Sequence, residues 1–215
     1  MSWLPYNPRV AKLIEIHPTD PQPRLVKTIV EIIHSGGLVA YPTDSSYALG
    51  CHIGDKKAIE RIHRIRRTHK KHNFTLVCAD LSEISAYARV DNWAYRMIKS
   101  MTPGPYTFVL PATREVPKRL QNPKRRTIGL RVPDHALVRA VLEALGEPIM
   151  SSTLQLPGDH IPLTDPLEIE ERIGHQLEAI IDAGPTGIEP TTVLDLSSGS
   201  VEVLRVGRGD VSQFA

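Results

Sequence analysis

Apolar positions along this chain alternate or recur in short runs, and those runs lay out its elements in order. Residues 11–17 (A-K-L-I-E-I-H) alternate as an edge strand does. Thr19-Asp20-Pro21 has the form of a helix start, a capping side chain with proline in the first turn. Leu25, Val26, Ile29, Ile32 and Ile33 then recur at helical spacing, and Gly36 suits the C-terminal cap. Leu38-Val39-Ala40-Tyr41 reads as a short buried strand, stopped by Pro42, which has no N–H for a ladder. Residues 47–51 return to apolar character. Asp55 is placed to cap a second helix, with Ala58, Ile59, Ile62 and Ile65 as its buried stripe and its end near Thr68.

Residues 74–78 (F-T-L-V-C) read as a strand, and 81–88 and 93–101 as two surface helices closed by the rigid turn Thr102-Pro103-Gly104-Pro105. Strands follow at 106–110 and 127–132. Pro133-Asp134-His135 opens a helix that runs to about Leu145. A short strand at 148–150 opens into the hydroxyl-rich segment 151–158, and Thr164-Asp165-Pro166 caps a helix that runs to about Leu177. Strands at 179–181, 191–196 and 201–206 complete the chain, the last two as a hairpin across 197–200. Strands alternating with helices predict parallel pairs, and the hairpins add antiparallel ones. The expectation is an N-terminal flexible arm over residues 1–10 and a single α/β domain with a mixed sheet over 11–215.

Composition narrows this little. At 215 residues the chain can bury a substantial core, and a charged fraction of 23% gives no case for global disorder. No apolar run approaches a membrane span, and the N-terminus lacks a basic region followed by an apolar stretch, so a cytoplasmic protein is expected. Cys51 and Cys78 lie far apart in strand-like runs and read as core thiols. No Cys/His cluster has zinc spacing, and no metal site is expected.

The candidate chemistry sits in three places. Thr43, Asp44, Ser45 and Ser46 put four polar side chains on one turn between two apolar runs. Such a turn can offer hydroxyls and backbone N–H groups to a ligand, or can satisfy only its own backbone. The second helix is strongly basic on its outer faces (Lys56, Lys57, Arg61, Arg64, Arg66, Arg67), and the run continues through Lys70 and Lys71. A second basic stretch holds Lys118, Arg119, Lys124, Arg125 and Arg126. Either can be a solvated face or an anion site for phosphate, nucleotide or RNA. There is no G-x-x-x-x-G-K-[ST], no G-x-G-x-x-G and no G-x-S-x-G.

Taken in order, Y-P-T-D-S-S-Y-A-L-G at 41–50, the basic helix end at 61–72, T-P-G-P-Y-T-F-V-L at 102–110, T-I-G-L-R-V-P at 127–133, S-S-T-L-Q-L-P-G at 151–158 and T-T-V-L-D-L at 191–196 resemble the YrdC-like family of threonylcarbamoyladenylate synthases, and most closely its YciO branch. The resemblance covers roughly residues 12–212. It implies a twisted α/β sheet, flanked by helices, with a deep basic concave face. It implies a reaction in which L-threonine and bicarbonate give a carbamate that attacks the α-phosphate of ATP. The products are threonylcarbamoyl-adenylate and pyrophosphate, the adenylate serving N6-threonylcarbamoylation of adenosine 37 in tRNA. Mg²⁺ would accompany ATP, with no tightly bound cofactor. By the same resemblance Thr43 falls in the threonine pocket; Thr107, Ser151, Thr191, Arg66 and Arg205 fall near substrate or nucleotide; and Arg131 is structural or phosphate-facing. Binding of double-stranded RNA or tRNA, through Arg61, Arg64, Arg67, Lys70, Lys71, Lys118, Arg119, Lys124 and Arg125, is the alternative use of the same face.

The catalytic tetrad that this resemblance implies is substituted. Synthases carry Lys-x-Arg-Pro where this chain has Arg66-Arg67-Thr68-His69, and Ser-x-Asn where it has Thr153-Leu154-Gln155. Arg66 keeps a charge, although Arg and Lys are not equivalent phosphate ligands, and Thr68 loses one. Thr153 keeps a hydroxyl; Gln155 moves its amide one methylene outward. Weakened or altered synthase activity is therefore expected.

Overall fold

The computed structural model describes residues 11–68 and 74–214. The expected arm at 1–10 and the basic residues Lys70 and Lys71 lie outside the described residues, as does His69.

Among the described residues ten strands form one sheet in the order β1-β8-β2-β3-β7-β4-β6-β5-β9-β10. They are β1 Lys12–Glu15, β2 Val39–Tyr41, β3 Ala48–His52, β4 Thr75–Val77, β5 Tyr106–Pro111, β6 Thr127–Arg131, β7 Ile149–Thr153, β8 Ala179–Asp182, β9 Thr192–Asp195 and β10 Glu202–Arg205. Four neighbouring pairs are parallel (β1/β8, β2/β8, β4/β6, β5/β9) and five antiparallel (β2/β3, β3/β7, β4/β7, β5/β6, β9/β10). The hairpins expected at 38–51 and 191–206 are the β2/β3 and β9/β10 pairs.

Six α-helices among the described residues flank the sheet: α1 Pro23–His34, α2 Lys56–Arg66, α3 Leu81–Tyr87, α4 Asn92–Met101, α5 Ala136–Leu145 and α6 Pro166–Ile173. Their limits follow local chemistry. Asp55 caps α2 by accepting from the Ala58 N–H at 2.8 Å, and Asp165 caps α6 through the Leu167 N–H at 2.8 Å. Helix α1 starts later than Thr19-Asp20-Pro21 suggests, because Pro23 holds Gln22 in an extended conformation (φ −65°, ψ 124°). At its far end Gly36, with φ +79°, donates to the Ile33 carbonyl, and Gly37 donates to that of Ile32, closing the last turn. Helix α6 gives way to a 3₁₀ turn at Gly174–Gln176 rather than running to Leu177. None of these helices is long and apolar enough to cross a membrane.

Two cores lie against the two faces of the sheet. One packs α2, α3, α4 and α6, through Ile62, Ile84, Ile98 and Ile169, on strand residues such as Leu49, Leu76, Phe108 and Leu130. The other packs α1 and α5, through Ile29, Ile33, Val141 and Leu142, on Val39, Tyr41, Ile149 and Ile181. Both cysteines are free and buried. On this second face the helical cover ends at β7 and at Val77, the last residue of β4. Beyond it the residues that share the face across β4, β6 and β5 are Thr75, Gly129 and Val109 in register, with Thr107, Thr127 and Arg131 on either side. The alternation in T-F-V-L and T-I-G-L-R thus separates an apolar set facing helices from a small, polar set facing the bare side. That bare side is the floor of a cavity.

Candidate functional site

The cavity has a volume of about 620 Å³ and is walled by several parts of the chain. The 43–46 turn, the sheet floor, the end of α2 and the segment from Ile188 to Thr191 each contribute. Among the described residues Arg66, Arg125, Arg131 and Arg205 line it, against a single carboxylate, Glu189, so the space is electropositive.

The 43–46 turn is held from within. Thr43 is buried; its hydroxyl donates to the Ser46 carbonyl at 2.8 Å, receives the Ser45 and Ser46 N–H groups at 3.2 and 3.3 Å, and lies 3.0 Å from Ser45 Oγ. Thr43 lines the cavity, and its hydroxyl also satisfies its own turn. Asp44 is gripped from two sides. Its carboxylate pairs with Arg131, the two side chains being 10% and 9% exposed. The same carboxylate accepts from the Asp134 N–H at 3.1 Å, and the Asp44 carbonyl accepts from Arg208. This turn also borders a second cavity of about 400 Å³, lined in part by His135 and Arg208. Burial pushes the His135 imidazole down, against the pull of Asp44 and Asp134.

The hydroxyl cluster at 151–153 is not a loop after a short strand. Strand β7 runs through Thr153, because Ser151, Ser152 and Thr153 pair with Gly50, Leu49 and Ala48 of β3. Ser151 Oγ lies 2.7 Å from the Tyr41 hydroxyl. That contact needs Gly50, since a Cβ there would sit 2.6 Å from Tyr41 Cε1. Burial pushes Tyr41 up to about 12, with the Ser151 bond acting the other way, so the phenol is a neutral hydrogen-bonding group.

Arg66, the last residue of α2, reaches Ser152 Oγ at 2.5 Å and the Gln155 carbonyl at 3.4 Å. Burial lowers its pKa, yet a guanidinium stays protonated. Across the cavity Thr107 and Thr191 hydroxyls are 2.9 Å apart, and Arg205 donates to the Thr191 carbonyl at 2.9 and 3.1 Å. Arg205 is also lowered, by burial first and by the nearby Arg131 second. An anion in the cavity would relieve both.

The structure therefore brings together Thr43, Arg66, Thr107, Arg131, Ser151, Thr153, Gln155, Thr191 and Arg205. It leaves out Thr68, whose hydroxyl lies 2.9 Å from His63 Nδ1 at the end of α2. Arg67 beside it takes a left-handed conformation (φ +46°) to end that helix, which turns the chain away. Gln155 lines the cavity, but its amide donates to the Asp159 carbonyl at 2.9 Å.

Among the described residues, the two basic stretches do not make one continuous rim. Arg61 is drawn to Glu178 at 2.9 Å, and Arg119 donates to the Gly54 carbonyl. Both answer protein acceptors, and neither lines the cavity. Arg125 does line it, and pairs at 2.7 Å with Asp195, a buried carboxylate that needs a cation. Arg64, Arg67, Lys118 and Lys124 are exposed and outside the lining. Ser152, His160, Ile188 and Leu204 also line the cavity without standing out in the sequence. Ser152 belongs to the hydroxyl run, Leu204 comes from strand β10, and His160 and Ile188 follow from how their loops fold back.

The site defines a class of α/β protein with an arginine-rich, hydroxyl-rich cavity on the bare half of a mixed sheet, a chemistry that suits anionic ligands. The chain belongs to the Sua5/YciO/YrdC family: residues 31–207 match the family's model, described as telomere recombination. It is 52% identical over 205 residues to the YciO protein of Escherichia coli K12, covering 95% of this chain and all of that one. A Haemophilus influenzae protein is 54% identical over 206 residues with the same coverage. The crystal structure of E. coli YciO superposes with a TM-score of 0.92. The crystal structure of P. abyssi Sua5 complexed with L-threonine superposes with a TM-score of 0.83 at 26% identity, over 91% of this chain and 57% of that one.

Proposed function

We propose that this chain binds ATP and L-threonine in the large cavity and forms threonylcarbamoyl-adenylate slowly. The observation that carries this is the grouping of Arg66, Arg131 and Arg205 with Ser and Thr hydroxyls around one 620 Å³ space. The threonine-bound Sua5 relative supports the choice of amino acid.

In this reading the carbamate of threonine, formed with bicarbonate, presents an oxygen to the α-phosphorus of ATP. The new O–P bond forms as the bond to pyrophosphate breaks, and charge builds on phosphate oxygens. Arg66 and Arg205 supply positive charge there, and Ser151 and Thr153 supply hydroxyl donors. The rigid 43–46 turn shapes the threonine side. Among the described residues Glu189 is the only carboxylate in the lining, so Mg²⁺ would enter with the triphosphate and be held mainly by it. The adenylate would then serve threonylcarbamoylation of adenosine in tRNA.

Thr68 and Gln155 account for the slowness. Thr68 brings no charge and is turned toward His63, and the Gln155 amide is committed to Asp159. Ground-state affinity survives on the arginines, while stabilisation specific to the transition state falls. The test is pyrophosphate release with ATP, threonine and bicarbonate, comparing wild type with the joint variant Arg66→Lys, Thr68→Arg, Thr153→Ser, Gln155→Asn. The four must change together because such groups act as a unit. A gain of at least ~10-fold, about 1.4 kcal/mol of barrier, is expected. A folded joint variant with no gain, alongside RNA binding by wild type that weakens as salt rises, would favour an RNA-binding role instead.

A further inference from the structure

Well away from the cavity, at the end of β3 opposite the Thr43 turn, three ligand-type side chains from distant positions converge. His34 is the last residue of α1, His52 the last of β3, and Glu147 lies between α5 and β7. His52 Nε2 is 2.8 Å from Glu147 Oε1, and His34 Nδ1 is 3.8 Å from the same oxygen. The three donor atoms all lie within 4.8 Å of one another. We propose that His34, His52 and Glu147 form a binding site for a borderline transition-metal ion, Zn²⁺ foremost, which ties α1 and β3 to the start of β7.

Two imidazoles and one carboxylate suit Zn²⁺, Ni²⁺ or Cu²⁺ and discriminate against Mg²⁺ and Ca²⁺, which want all-oxygen shells. Tetrahedral zinc with bonds of ~2.0–2.2 Å sets its ligand atoms roughly 3.3 Å apart. The two separations to Glu147, 2.8 and 3.8 Å, fall on either side of that, and all three donor atoms lie within 4.8 Å, a spread that modest side-chain rotation reduces. The side chains of His34, His52 and Glu147 are 50%, 31% and 24% exposed, which lets an ion in without opening the core.

The hydrogen bonds around His52 set the strength of the site. The Gly54 N–H donates to His52 Nδ1 at 2.9 Å, which puts the ring proton on Nε2, facing Glu147. An ion at Nε2 displaces that proton to Nδ1, and the exposed Gly54 N–H turns to water. Binding therefore gives up the Gly54–His52 and His52–Glu147 hydrogen bonds in return for three metal bonds, which holds the affinity below that of a site whose ligands are free. Three protein ligands leave a position for water. Nothing in the sequence marks this site, because its ligands come from three remote segments.

The test uses the full chain, freed of metal with a chelator. ZnCl₂ is titrated by calorimetry, CoCl₂ by visible absorption, and unfolding is followed by circular dichroism. One Zn²⁺ per chain is expected, with a rise in Tm, and no heat from MgCl₂. His52→Ala and His34→Ala should each weaken binding at least ~10-fold and abolish the Tm rise. His175→Ala, at an exposed histidine elsewhere, should retain both. Absence of Zn²⁺ binding by wild type would overturn the proposal. So would unchanged affinity in His34→Ala, whose exposed position leaves the fold unaffected.

Discussion

Replacing Asp44 with alanine should destabilise the chain far more than loss of an ordinary ion pair. Arg131 and Asp44 are 9% and 10% exposed at their side chains, so the pair is effectively buried. Arg131 Nε has no acceptor, and besides Asp44 its guanidinium has Ser45 Oγ at 3.3 Å. Arg205 is close enough that the two positive charges oppose each other. Asp44→Ala thus leaves a buried guanidinium with one weak acceptor and an uncompensated like charge, and it removes the acceptor of the Asp134 N–H. Breaking a buried pair in this way costs about 3–5 kcal/mol. In a chain of this size each kcal/mol moves Tm by about 2–4 °C, so a fall of roughly 6–20 °C is expected. Urea unfolding of wild type, Asp44→Ala, Arg131→Met and the double variant closes a cycle. The double variant should lose less than the sum of the two, because the stranded charge is gone. A loss below ~1 kcal/mol for Asp44→Ala, the worth of an exposed pair, would refute the account of this turn as electrostatically locked.

Two glycines give further checks. A Cβ at Gly129 would lie 3.0 Å from Thr75 Oγ1 and 3.3 Å from Thr107 Cγ2, on the cavity floor, so Gly129→Val should weaken ATP binding at least ~10-fold while far-UV dichroism stays native. Gly50→Ala would set a methyl 2.6 Å from Tyr41 Cε1 and 2.9 Å from Ile149 Cγ2, and should cost about 1–3 kcal/mol in urea unfolding by overpacking and by parting Tyr41 from Ser151.

Most of the strands and helix caps were legible because their signals are local. Asp55 and Asp165 cap where their side chains predict, and the alternation in T-I-G-L-R already divides a helix-facing set from a cavity-facing set. Local signals failed where a neighbour or a distant partner decides. Pro23 overrode the apparent cap at Thr19-Asp20, and pairing with Gly50, Leu49 and Ala48 drew Ser151, Ser152 and Thr153 into a strand. The basic run at 56–67 could not reveal that Arg61 answers Glu178 while Arg66 turns into the cavity. The 43–46 turn was the clearest site signal, since four consecutive polar residues between buried strands must be satisfied somewhere. That Arg131 and Arg208 hold it is a property of the fold alone.

The most direct measurement of the central claim is calorimetric titration of the chain with ATP and Mg²⁺, in the presence and absence of L-threonine. ATP should bind in the cavity, threonine should tighten it, and Arg66→Ala together with Arg205→Ala should abolish the heat while leaving the chain folded. ATP binding that is absent in wild type, or that is indifferent to both arginines, would contradict the assignment of this cavity as a nucleotide site.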